Sequence, residues 1–135
     1  MFKVLVLLTH MKIYESIDSI TIRVGESAKE NDELSMTSDP KHWWMHVSGC
    51  PGAHVVVCHQ GDQLPRETKR DAAVLAVYHS KTPKTKMSPV DLVRVDQIAK
   101  YQKSTHGLVT LEGEVMQLTI FMNKEKLRLD RLMGK

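Results

Sequence analysis

A chain of 135 residues, 41% apolar and 26% charged, is one domain with enough apolar content to bury a core unaided, which excludes a disordered segment and argues against a two-domain enzyme. Its formal charge of +3 is too small to mark a nucleic-acid binder by itself, but it is unevenly placed: Met1 to Val57 holds five basic and seven acidic residues, Cys58 to Lys135 fourteen and nine. Two cysteines cannot build a disulfide framework, and no apolar run reaches the roughly 20 residues of a membrane span, so reduced thiols and a cytoplasmic location are expected.

In chain order, Val4 to Leu8 and Ser19 to Val24 are short apolar runs that read as a strand or the start of a hairpin, and the first run is too short for a signal-peptide core. Gly25 to Leu34 is polar, with Ser27 and Glu30 at the spacing of a capping box, and predicts a short helix. Asp39-Pro40 starts a turn, and Trp43 to Val47 is rich in aromatic and β-branched residues and predicts a strand. Ser48 to Gly52 interrupts it, and Ala53 to Cys58 resumes as a central strand buried on both faces. The clearest helix follows Pro65, from Arg66 to His79, with Ala72, Ala73, Leu75, Ala76 and Val77 on its apolar side.

Two prolines bracket Lys81 to Pro89 and predict an irregular basic loop. Val90 to Ile98 and Gly107 to Phe121 read as strands, the second folded into a hairpin at Glu112-Gly113, and Asn123 to Met133 as an amphipathic helix with Leu127, Leu129 and Leu132 inward. The fold class expected for a single domain over 1–135 is α+β, a largely antiparallel sheet with one main helix packed on it.

Among motifs that carry chemistry, His46, Cys50, His54 and Cys58 recur every four residues and offer a zinc donor set, but Pro51 and Gly52 forbid the helix that would align them. No nucleophile elbow, phosphate-binding loop or zinc-protease motif occurs, so no catalytic residue, cofactor or metal is expected. Nucleic-acid ingredients are better represented. Trp43 and Trp44 can stack on bases, with one of the pair expected to face outward, and His46 and His54 can donate to phosphate or base. Lys81, Lys84, Lys86 and Arg94 lie in the most basic stretch and can contact phosphate.

The order of residues resembles a known family. Val24-Gly25, Ala28 to Leu34, Asp39, Trp44, His46-Val47, Gly49, Pro51-Gly52 and His54 to Val56, then Ala72-Ala73, Leu75-Ala76, Tyr78, Ser80-Lys81 and Pro89 to Asp91, are similar to the NFACT-R domain, the RNA-binding part of the NFACT proteins. The resemblance implies an RNA-binding module, here free-standing, for tRNA or rRNA, linked to translation and ribosome-associated quality control. The tail-adding activity of complete NFACT proteins is not carried over to this module alone.

Carried over by position, the resemblance places Asn31, Asp32, Trp44, His46, Gly49, Pro51, Gly52 and His54 on the binding face. Gly49, Pro51 and Gly52 are expected to shape a turn, with Gly52 in a conformation closed to larger residues. Asn31 and Asp32 are expected to hold that turn by side-chain hydrogen bonds, and one of the two histidines to be a core residue. Two positive charges common in the family are replaced by Glu26-Ser27 and Ser48. A protein-interaction adaptor is the alternative reading, and an enzyme acting on RNA through Cys50, His46 and His54 a weaker one.

Overall fold

The computed structural model describes residues 11–80, 87–100 and 108–135. The strand expected over Val4 to Leu8 and the lysines Lys81, Lys84 and Lys86 lie outside those residues. A six-stranded antiparallel sheet runs in the order β1-β2-β4-β3-β5-β8, formed by β1 (Lys12–Glu15), β2 (Thr21–Gly25), β3 (Trp43–Val47), β4 (His54–Val57), β5 (Ser88–Arg94) and β8 (Met116–Ile120). β6 (Ile98–Lys100) and β7 (Val109–Leu111) form a second, two-stranded sheet. The helices are α1 (Ala28–Thr37), α2 (Arg66–His79) and α3 (Lys126–Leu132), so the class is α+β. Among the described residues no helix is long and apolar enough to cross a membrane.

Alternation along the strands divides the sheet into two faces, each with its own core. On one face Ile22, Val24, Trp43, Met45, Val55, Val57, Val90, Leu92 and Ile120 pack against α2, whose Ala72, Ala73 and Ala76 keep the helix close to the strands. On the other, Trp44, Val56 and Val93 meet Leu34 of α1, with Ile98, Val109 and Leu111 of the small sheet around them. Covering both faces explains why the expectation of one outward tryptophan fails. Trp43 and Trp44 do point oppositely, yet they are 5% and 1% exposed because each side of the sheet is roofed.

α1 begins where the capping pattern places it: Ser27 Oγ accepts from the Glu30 N–H at 3.1 Å, and Glu30 Oε1 accepts from the Glu26 N–H at 3.0 Å. α2 spans the expected residues and ends as Ser80 turns extended, its hydroxyl donating to the Ala76 carbonyl at 2.6 Å. β4 lies between β2 and β3 with every residue buried, as a central strand should.

One element was not expected and three expectations are corrected. β2 forms a hairpin with β1, the polar edge segment Lys12–Glu15, whose low apolar content hides it from pattern reading. Ser88 and Pro89 belong to β5 rather than to a loop, and the sheet there uses only the Pro89 carbonyl, which accepts from Ser48 N–H at 2.9 Å. The segments either side of Glu112-Gly113 do not pair with each other: β7 joins β6 and β8 joins β5, while Gln97 Nε2 donates to the carbonyls of Glu112 and Glu114 at 2.9 and 2.8 Å and holds the crossover. In α3, Leu129 and Leu132 pack inward but Leu127 is 85% exposed.

α3 is fastened to α2 by charge. The fully buried carboxylate of Asp71 accepts from Arg128 at 2.9 Å, from Arg131 at 2.6 Å and from the Ile17 backbone N–H at 2.9 Å, so one side chain ties helix α3 and the β1–β2 turn to helix α2. Removing one partner of such a buried set strands the rest. Asp71→Ala is expected to lower unfolding free energy by about 3 kcal/mol, read from the midpoint of a urea titration, whereas Lys126→Ala, in an exposed pair with Asp130, should change it by less than about 0.5 kcal/mol.

Candidate nucleic-acid interface

The strand register brings residues far apart in sequence into one transverse row. Gly25 of β2 pairs with His54 of β4, Met45 of β3 with Val55 of β4, His46 of β3 with Asp91 of β5, and Asp91 with Gln117 of β8. One step on from Met45 and Val55, His46 and His54 face each other, their ring centroids 5.2 Å apart and their planes at 89°. The row therefore reads Gly25, His54, His46, Asp91, Gln117 across five strands. It lies on the face that α1 and the small sheet flank without closing, and there the chain encloses a cavity of about 570 Å³.

The back of the cavity is a stack of rings. Trp44 and His46, two apart on β3, lie nearly parallel at 5.6 Å and 15°, and His54 meets Trp44 edge-on at 5.0 Å. Trp44 Nε1 donates to Ser35 Oγ at 3.0 Å, and the same hydroxyl lies 2.6 Å from His54 Nδ1. A chain in which Ser35 accepts from Trp44 and donates to His54 uses each group once. His54, 1% exposed, is thus the core histidine of the pair. Trp44 is the support beneath His46 rather than an open platform.

Asn31 fixes the rim. Its side-chain amide donates to the Gly52 carbonyl at 3.1 Å and its carbonyl accepts from the His54 N–H at 3.0 Å, so it completes the start of β4 as a neighbouring strand would. Gly25 makes this approach possible: a Cβ there would sit 2.6 Å from Asn31 Oδ1. The two turn glycines divide their roles differently from expectation. Gly49 takes the left-handed conformation, φ +72°, with open space around it, whereas Gly52 is needed for room, since a Cβ would lie 2.9 Å from the Ser80 Cβ.

Of the remaining candidates, Pro51 lines the cavity with Gly49 and Gly52. Asp32 points instead to the small sheet, where its carboxylate pairs with Lys100 at 3.0 Å and braces β6 against α1. Arg94 is not brought to the cavity. It lies over the Trp43 ring at 3.9 Å and donates to the carbonyls of Lys41 and Gln60 at 2.6 and 3.1 Å.

The cavity adds residues that sequence reading did not single out for a role: Asp91, and at the other end Glu26 and His79. His79 Nδ1 lies 3.0 Å from Glu26 Oε2, and its Nε2 2.7 Å from the Tyr14 hydroxyl. Only the strand register reveals Asp91 as a neighbour of His46, and nothing local in the sequence marks it. The described lining residues include the carboxylates of Glu26 and Asp91 and no lysine or arginine. His46, Cys50 and His54 line the cavity and Cys58 is not among its lining residues, but among the described residues no group of three histidines, cysteines or carboxylates is placed to hold a metal.

Comparisons with known proteins converge on this chain. Residues 10–117 match the family described as the NFACT protein RNA binding domain. The Rqc2 homolog RqcH of Bacillus subtilis (strain 168) is 28% identical over 116 residues, which cover 85% of this chain and 20% of that protein. The Rqc2 homolog RqcH of Streptococcus suis (strain 05ZYH33) is 35% identical over 103 residues, 75% of this chain and 18% of that one. The chain thus spans about a fifth of the length of these relatives. Among solved structures, the C-terminal part of the fibronectin/fibrinogen-binding protein from Streptococcus suis superposes with a TM-score of 0.73 at 30% identity, covering 87% of this chain and 48% of that one.

Two outcomes follow from this geometry. Asn31→Ala leaves the partly buried Gly52 carbonyl and the buried His54 N–H without their partner and is expected to cost about 2 kcal/mol, read by urea unfolding; Gly25→Ala should cost stability too, by forcing Asn31 away. Burial holds His46 below its ordinary pKa of 6.5 against the pull of Asp91, and burial does the same to His79 against the pull of Glu26. The unfolded chain then binds more protons than the folded one below about pH 6.5, so stability is complete above that pH and falls as pH drops through it. In urea midpoints taken from pH 7.5 to 5, His46→Gln should show a shallower decline than the unaltered chain.

Proposed function

This chain belongs to the NFACT protein RNA binding domain family, and we propose on that premise that it is a non-catalytic RNA-binding module, for tRNA or rRNA, serving translation or ribosome-associated quality control. The observation that carries the reading is the convergence of Asn31, His46, Gly49, Pro51, Gly52 and His54 around one cavity, in a chain whose match to an RNA-binding family spans all of them. The aromatic stack behind His46 suits an unpaired base, which RNA offers in loops and bulges and duplex DNA does not.

Phosphate contacts fall to Lys81, Lys84 and Lys86 in this proposal. Ser80, the residue before them in the chain, ends α2 beside Gly52 on the rim. The backbone of the RNA would run over the rim, outside the carboxylates, with its bases turned inward.

A protein-docking adaptor is the second reading. It is favoured by the acidic lining of the cavity and by the name of the Streptococcus suis structure, which is that of a fibronectin/fibrinogen-binding protein. Fluorescence anisotropy with labelled tRNA and a duplex DNA of similar length, over a salt series, separates the two. The RNA module should prefer tRNA at least tenfold and lose affinity with salt, and replacing Lys81, Lys84 and Lys86 together by alanine should lower the salt slope by two to three contacts' worth. Absence of any preference for tRNA at low salt would put the adaptor first.

A further inference from the structure

We infer that the cavity reads an unpaired guanine, with the Asp91 carboxylate as the group that selects it; the inference rests on the RNA-binding reading and names the base taken at that site. Three features carry it. The first is a stacking surface that ends on the cavity. Trp44 and His46 form a parallel pair along β3, and both line the cavity together with the turn that follows His46, so a planar ring seated in the cavity can add to the stack.

The second is the state of the carboxylate. Asp91 stands next to His46 in register, and its Oδ1 accepts from Gln117 Nε2 at 2.8 Å. The other amide hydrogen of Gln117 is directed to Ser48 Oγ at 3.1 Å, so both donors of Gln117 are committed within the row. Oδ2 of Asp91 takes no donor among the described residues, and Asp91 is one of the residues that line the cavity. The row fixes the carboxylate from one side and leaves acceptor capacity on the other.

The third is that no lysine or arginine is among the described lining residues while two carboxylates are, which disfavours phosphate inside the cavity and leaves the base as the part that enters. A carboxylate only accepts hydrogen bonds. Guanine alone among the four bases presents two adjacent donors on its pairing edge, the N1–H and the N2 amino group. Adenine and cytosine each place a ring-nitrogen lone pair beside their single amino group, and uracil flanks its one N–H with two carbonyl oxygens. Against a carboxylate those lone pairs repel, so the same geometry that accepts guanine disfavours the others. The cavity volume lies within the range of about 300–1,000 Å³ usual for small-molecule sites.

The test uses the whole chain and a labelled nine-residue oligouridine whose central position is guanosine, adenosine, cytidine, uridine or inosine, titrated by anisotropy at one salt concentration. The guanosine oligomer is expected to bind at least tenfold tighter than the adenosine, cytidine and uridine ones. Inosine, which keeps N1–H and lacks the amino group, should fall between. Asp91→Asn should bring the guanosine oligomer to within about twofold of the others. Equal binding of all five oligomers overturns the guanine inference and leaves the RNA reading standing. Failure to bind any of them, together with failure to bind tRNA, overturns both. The inosine comparison needs no altered protein, so it decides the matter even where Asp91→Asn does not fold.

Discussion

One side-chain amide holds the site in shape. Asn31 belongs to a helix, yet it pairs with the backbone of β4 as another strand would, satisfying the Gly52 carbonyl and the His54 N–H at the point where the sheet would otherwise present them to a rim with no neighbour. Everything around it accommodates this. Gly25 vacates the space that a Cβ would fill, Ser27 starts the helix at the height that brings Asn31 to the strand end, and Leu34 and Ser35, lower on the same helix, then fall against Trp44 and His54. Position along one helix thus sets the position of the rings.

Charge is arranged in two tiers. On the α2 side Asp71 gathers two arginines and a backbone N–H in a buried set that holds the layers together. On the α1 side Asp32 pairs with Lys100 of the small sheet, while at the cavity Glu26 stands against His79 and Asp91 against Gln117. Several basic residues that raise the formal charge of the second half are engaged with the protein itself: Arg94 over Trp43, Arg128 and Arg131 on Asp71, Lys100 on Asp32. Net charge counted along the sequence therefore overstates what the described surface offers to a phosphate backbone.

Much of the frame is legible in the sequence because it is encoded locally. The limits of α2 follow from Pro65 and a run of alanines, the start of α1 from Ser27 and Glu30, and the central place of β4 from an unbroken apolar run. What was hidden depends on contacts between distant segments. Glu112-Gly113 reads as a hairpin until Gln97 is found holding it as a crossover. Trp43 and Trp44 alternate as strand residues must, but whether a face is covered is a property of the layers above it. The neighbours of His46 are set by register, so Asp91 and Gln117, 45 and 71 positions later in the chain, carry no mark that joins them to it. Gly52 was singled out by sequence for a special backbone conformation, and it is required for its missing side chain instead.

The transverse row makes the cavity a sensor of its own assembly. Each of five strands contributes one residue, and a slip of a single position in any of them would turn its contribution to the opposite face while leaving hydrogen bonding along the strands largely intact. A misregistered sheet could retain its strand content and much of its compactness, yet it would present no intact row. Ligand affinity consequently discriminates between correctly and incorrectly paired chains more sharply than any measure of secondary structure.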